Sequence, residues 1–205
     1  MSKVAPQVPE ETEESETDDG LYDLLTNRDI YKNRKGGEKF KEISESEQQE
    51  YINLFISDLE NGDETKRNDA AYALKKRYIR DKIAVNVLIR KLEEKNAFIK
   101  KTVVEVLGLK GELEALIEAE VLEDDDPTVR KATVEALGKI GDKRAIRPLL
   151  KKLEETDPSV LIATLDTIAR IGTSNWSTLS AVNQLTGHEN NDVKTAAKKT
   201  YKTLR

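Results

Sequence analysis

The stretch from Asp126 to Glu155 reads as one complete helical hairpin, and the chain around it repeats the pattern with a period of 30 to 33 residues. With Val129 as anchor, equivalent positions fall at Lys66, Ile99, Val160 and Val193; eight residues further on stand Leu74, Leu107, Leu137, Ile168 and Tyr201. A unit this small cannot bury the apolar faces of two helices by itself. Stacked copies bury them against one another, so self-similarity at this period specifies an all-α solenoid in which each unit packs on its neighbours. That constrains architecture and leaves the partner unnamed.

Within each unit, apolar residues recur at i, i+3, i+4 and i+7, the mark of a helix with one buried face. First helices are expected at about 47–60, 83–95, 112–124, 143–155 and 176–186, and second helices at about 65–80, 97–109, 127–140, 158–171 and 192–204. Ser44 or Ser46 suits the first cap, and Asp126-Pro127 and Asp157-Pro158 each supply an N-cap and a first-turn proline. Gly108, Gly111, Gly141 and Gly172 are expected to end or link helices. Ala70, Ala73, Ala132, Ala136, Ala163 and Ala197 fall where two helices must approach closely.

Charge divides the chain. The net charge is -5, but residues 1–23 carry one lysine against eight carboxylates, -7, which leaves the other 182 residues at +2. Residues 1–19 have almost nothing apolar to bury and are expected to be a disordered acidic tail. Leu21, Tyr22, Leu24 and Leu25 predict a short amphipathic helix. Lys32, Arg34, Lys35, Lys39 and Lys41 around Gly36-Gly37 predict a flexible basic connector, so that 20–44 joins the tail to a repeat domain over 45–205. With no cysteine and one histidine, disulfides and Cys/His zinc sites are excluded, and no metal or cofactor is expected. No apolar run approaches a membrane span, and the N-terminus lacks a basic-then-apolar leader pattern, so the cytoplasm is the expected location.

The stretch DPTVRKATVEALGKIGDKRAIRPLLKKLEE resembles the short HEAT-like repeat of the phycobilisome-lyase type, and DPSVLIATLDTIARIG resembles the start of a further copy. The resemblance implies a right-handed superhelix of about five hairpins. Helices beginning near Pro127 and Pro158 would line the concave side, and those beginning near Lys143 the convex side. Relatives of this class are mostly adaptors and assembly factors, with some lyases and hydroxylases. Asp126, Arg130 and Asp157 match the Asp/Arg positions of such repeats, where they form an inter-repeat ladder; Leu161 interrupts it, and Lys100 and Lys194 stand in elsewhere.

Catalytic signals are sparse. His188-Glu189 is one His-Glu pair in a turn, whereas the HEAT-like di-iron enzyme deoxyhypusine hydroxylase needs several facing pairs. No nucleophile–base pair and no phosphate-cradling glycine loop stands out. The last helix is basic, with Lys194, Lys198, Lys199, Lys202 and Arg205, but aromatic platforms for bases are scarce and nucleic acid is not the expected partner.

The concave face is the expected site. One row of the second helices reads Ala71, Val104, Val134, Leu165 and Lys198, and the next reads Tyr72, Glu105, Glu135, Asp166 and Lys199. Lys101, Lys131, Lys139 and Arg170 flank them, and Ile162 adds apolar surface. Two readings of the apolar row stay open: a groove for an amphipathic helix or extended peptide, or packing between repeats. Residues 20–27 are a candidate occupant of such a groove in cis. The expected function is a non-catalytic protein-binding scaffold, adaptor or assembly factor; a lyase-like or hydroxylase-like enzyme and a nucleic-acid binder are the alternatives.

Overall fold

The computed structural model describes residues 19–28, 30–76, 79 and 82–205. The expected acidic tail lies outside them up to Asp18. Among the described residues all regular structure is helical. An N-terminal pair, α1 (Asp19–Thr26) and α2 (Ile30–Glu42), precedes five hairpins. These are α3 (Glu45–Asn61) with α4 (Glu64–Leu74), α5 (Lys82–Arg90) with α6 (Ala97–Lys110), and α7 (Leu113–Glu118) with α8 (Pro127–Ile140). The last two are α9 (Ile146–Lys151) with α10 (Pro158–Ile171), and α11 (Trp176–Gln184) with α12 (Asn191–Leu204). The chain is an all-α solenoid, as its period requires. No helix among the described residues is long and apolar enough to cross a membrane.

Local chemistry sets the helix ends. Ser44 and Glu47 form a capping box on α3, each satisfying the other's backbone N–H. Asp126 accepts from the Thr128 N–H at 2.7 Å, and Asp157 accepts from those of Ser159 and Val160 at 2.8 and 3.2 Å. Gly141 and Gly172 close α8 and α10 with φ of 73° and 74°, a left-handed turn that costs glycine least. Most first helices differ from expectation. α3 covers its expected span, but α5, α7, α9 and α11 are short and give way to 3-10 turns at Lys91–Glu93, Val121–Glu123, Lys152–Glu154 and Leu185–Gly187. Between α7 and its 3-10 turn, Glu120 has a φ of 53°, which an α-helix cannot contain. α4 ends at Leu74, earlier than residue 80 as expected; residues 77, 78, 80 and 81 lie outside the described set.

Packing is tightest between second helices. Gly108 lies inside α6 and does not end it: a Cβ there would meet that of Ala136 in α8 at 2.6 Å. Gly138 similarly faces Thr167 of α10, whose hydroxyl donates to the Val134 carbonyl at 3.2 Å. Thr200 of α12 repeats the device on the Leu165 carbonyl at 3.1 Å. Thus α6, α8, α10 and α12 stack along their lengths, whereas first helices of successive units make few close backbone approaches among the described residues. An array closer on one layer than the other curves toward the closer layer. The second helices are therefore the concave side.

The N-terminal pair closes the first unit. Leu21, Leu25 and Phe40 are buried, the Tyr22 ring sits 5.4 Å from Phe55, and its hydroxyl donates to Asp58 at 2.6 Å. Burial and the Asp58 carboxylate both push the Tyr22 phenol well above its ordinary range. Residues 30–42 are helix α2 and not a flexible connector. Gly36 lets α2 press on α1, where a Cβ would come 2.9 Å from the Leu24 backbone. The leucines of α1 are spent on this cap, so α1 does not occupy a groove in cis.

Candidate functional site

The open apolar groove is overturned. Val104, Val134 and Leu165 are each 0 % exposed, and Ala71 is also buried. They sit over the seams between second helices, and the carbonyls of Val134 and Leu165 are those gripped by Thr167 and Thr200. In a solenoid stacked this closely, the next unit covers that helical phase. Lys198 alone of the row is exposed, because it lies on α12.

What remains on the concave side is charged and in register. Glu105, Glu135 and Asp166 form a central acidic row on α6, α8 and α10, half-buried to exposed. Lys101 and Lys131 lie one turn before it, and Lys139 and Arg170 one turn after. Ile162, half-buried, takes the place of a base on α10. Some charges are already partnered: Lys75 pairs with Glu105 at 2.5 Å, and Lys199 with Asp166 at 3.7 Å. Tyr72 extends the row onto α4, with the Lys76 ammonium 3.6 Å from its ring centroid. Lys131, Glu135, Lys139 and Arg170 make no ion pair among the described residues.

The expected ladder exists along the turn edge, with different partners. Asp126 and Asp157 act as helix caps; the Arg130 guanidinium holds Glu155 in the next turn at 2.7 and 3.1 Å and donates to the carbonyls of Asp124 and Asp125. Lys100 pairs with Asp124 one unit earlier. Lys152, buried, reaches Glu123 at 2.6 Å and Glu155 at 3.9 Å, and Lys91 reaches Glu60 at 2.5 Å. Burial alone would raise the Glu155 carboxyl, but Arg130 and the N–H groups of Asp157 and Thr156 outweigh it and hold it below the usual carboxylate range. Thr128 and Ser159 lower their capping aspartates in the same direction. Arg130, Lys152, Glu123, Asp124 and Glu155 line an open polar cleft and are all ion-paired, which marks it as a structural joint.

His188 is half-buried in its turn, and its Nδ1 accepts from the Asn190 N–H at 3.0 Å. Among the described residues no group of three or more His, Cys, Asp or Glu side chains is placed to hold a metal ion. Sequence reading missed a hollow on the convex side. Ile89, Leu92, Ala115 and Ala119 floor it, and Glu93, Glu112, Glu114, Glu118 and Glu120 rim it. The unusual density of glutamate between 112 and 120 was its available signal.

A family model for HEAT repeats matches residues 113–202. That stretch of the chain is thus built of HEAT repeats. No curated protein sequence matches the chain. Among solved structures, the chain is similar to one in the complex of CpcE and CpcF of phycocyanin lyase from Nostoc sp. PCC7120. The TM-score is 0.58 at 24% identity, over 75% of this chain and 64% of that one. It thus spans under two thirds of that relative's length. An engineered protein matches with TM-score 0.52 at 19% identity, over 90% and 94% of the two chains. A designed armadillo repeat protein gives 0.50 at 18%, over 90% and 98%. At these identities the likeness is one of fold.

Proposed function

We propose that the protein is a non-catalytic scaffold that binds another protein through the concave face of its second helices. The observation that carries this is the register of charge: an acidic row across α6, α8 and α10, with bases one turn before it on α6 and α8 and one turn after it on α8 and α10. The apolar row Val104, Val134 and Leu165 of these helices is spent on packing, so recognition along their centre rests on charge and hydrogen bonding. A helix or extended segment with alternating charge complements such a face and is fixed in register by it. The central acidic row opposes a polyanion, which disfavours nucleic acid. Among fold relatives, the CpcE–CpcF complex supports partnering with a second chain and carries no chemistry over to this one.

The test is a triple charge reversal, Lys131→Glu, Glu135→Lys and Arg170→Glu, at positions without ion pairs among the described residues. Melting should shift by no more than about 3 °C, since exposed charges contribute little to stability. Partners captured by the wild type, quantified by mass spectrometry, should be lost. Equal capture by both proteins would place recognition elsewhere.

A further inference from the structure

Helix α12 departs from its predecessors on the side that each presents to the following unit. Lys198 stands where Val104, Val134 and Leu165 are buried, and Lys202 where Gly108 and Gly138 admit the next helix. Lys194 occupies the place of Lys100 and Arg130 but has no ion pair among the described residues. With Arg205 these lysines form a single stripe at i, i+4, i+8 and i+11. Three lysines at i, i+4 spacing repel one another, so the stripe works against the helix that carries it and an anionic partner relieves the strain. Beside its C-terminal end is Trp176, the only tryptophan and 82 % exposed. Ser174, two residues earlier, is tied to the Leu204 carbonyl at 2.5 Å.

We propose that this stripe is a docking surface for the acidic N-terminal segment, residues 10–19, of a second copy of the chain. Charge complementarity selects the occupant: residues 10–19 hold Glu10, Glu11, Glu13, Glu14, Glu16, Asp18 and Asp19 with no cation. Reach selects the copy. Nine extended residues before Asp19 span about 30 Å. Three helix–helix seams separate α6 from α12, about 27 Å at ordinary packing distances, and α1 packs on α4, one unit before α6. Only Glu10 and Glu11 could approach α12 of their own chain. Donor and acceptor occupy opposite ends, so the contact is heterologous and builds open head-to-tail chains. It is separate from the concave face and stands or falls independently of it.

The test uses the full chain in sedimentation velocity. Wild type should associate with rising concentration, detectably by about 100 µM at about 50 mM salt, and lose at least about tenfold in affinity by about 300 mM. One variant neutralises the donor: Glu10, Glu11, Glu13, Glu14 and Glu16 each to Gln, with Asp18→Asn. Another reverses the acceptor: Lys194→Glu, Lys198→Glu and Lys202→Glu. Each alone should be monomeric. Mixed, they should form a 1:1 dimer and no longer chain, since one supplies only the tail and the other only the stripe. Trp176 fluorescence should change on mixing. A monomeric wild type, association by either variant alone, or no dimer on mixing would overturn the proposal. So would a stripe that binds a single-stranded oligonucleotide while the chain stays monomeric, which would assign the lysines to phosphate.

Discussion

Arg130 reaches out of the third unit and grips Glu155 in the turn of the fourth, at 2.7 Å, with side-chain exposures of only 14% and 7%. The joint between two repeats thus depends on the ionisation of one carboxylate. Arg130→Met should destabilise by about 2–3 kcal/mol, because it leaves Glu155 largely buried without its counter-ion. Urea unfolding measures this. The companion Glu155→Gln in the same chain should restore part of the loss.

Stability should be flat from about pH 7 to 5 and fall below about pH 4.5. Glu155, Asp126 and Asp157 all have folded pKa values below their ordinary ones. For such groups the stabilisation is present above the unfolded value, near 4, and is lost as pH falls through the folded one. Melting temperatures across the range test this. Glu155→Gln should lower the plateau and flatten the acid limb; an unchanged limb would mean that the joint does not govern acid unfolding.

Leu165→Asp should cost at least about 3 kcal/mol, since it buries a carboxylate in a fully enclosed seam. Leu137→Ala should cost about 2–5 kcal/mol for the same reason of enclosure. Denaturant midpoints measure both. A Leu165→Asp protein that melts like wild type would return the apolar row to the surface.

The N-terminal cap gives an independent check. Leu25→Ala should destabilise by about 2–5 kcal/mol and Tyr22→Phe by about 1–2, the latter through the donor lost to Asp58. Deleting residues 1–43 should lower the melting temperature by uncovering Phe55. If it leaves melting unchanged, α1 and α2 are not structural.

The repeat period placed Leu107, Leu137 and Ile168 in the core, and caps such as Asp126 and Asp157 marked where second helices begin. Phase alone could not decide the Val104–Val134–Leu165 row. Whether that side of a helix is covered depends on how closely the next unit approaches. Gly108 looked like a terminator, and Gly138 and Thr167 carried no periodic signal, yet together they set the spacing. The partner of Arg130 was misjudged because capping had already engaged Asp157, leaving Glu155 as the free carboxylate. At the N-terminus, Gly36-Gly37 looked like a break, yet both lie inside α2, and Gly36 lets the two helices touch.

The seam at Gly108 and Gly138 has a mechanical consequence. Pressing the units toward greater curvature drives backbone against a methyl or hydroxyl with no room left, and packed interiors scarcely compress. Flattening the array lengthens dispersion contacts and the Thr167 and Thr200 hydrogen bonds across the seams, whose resistance is gradual. The spring is therefore one-sided: the molecule yields to a partner broader than its resting arc and does not tighten around a narrower one.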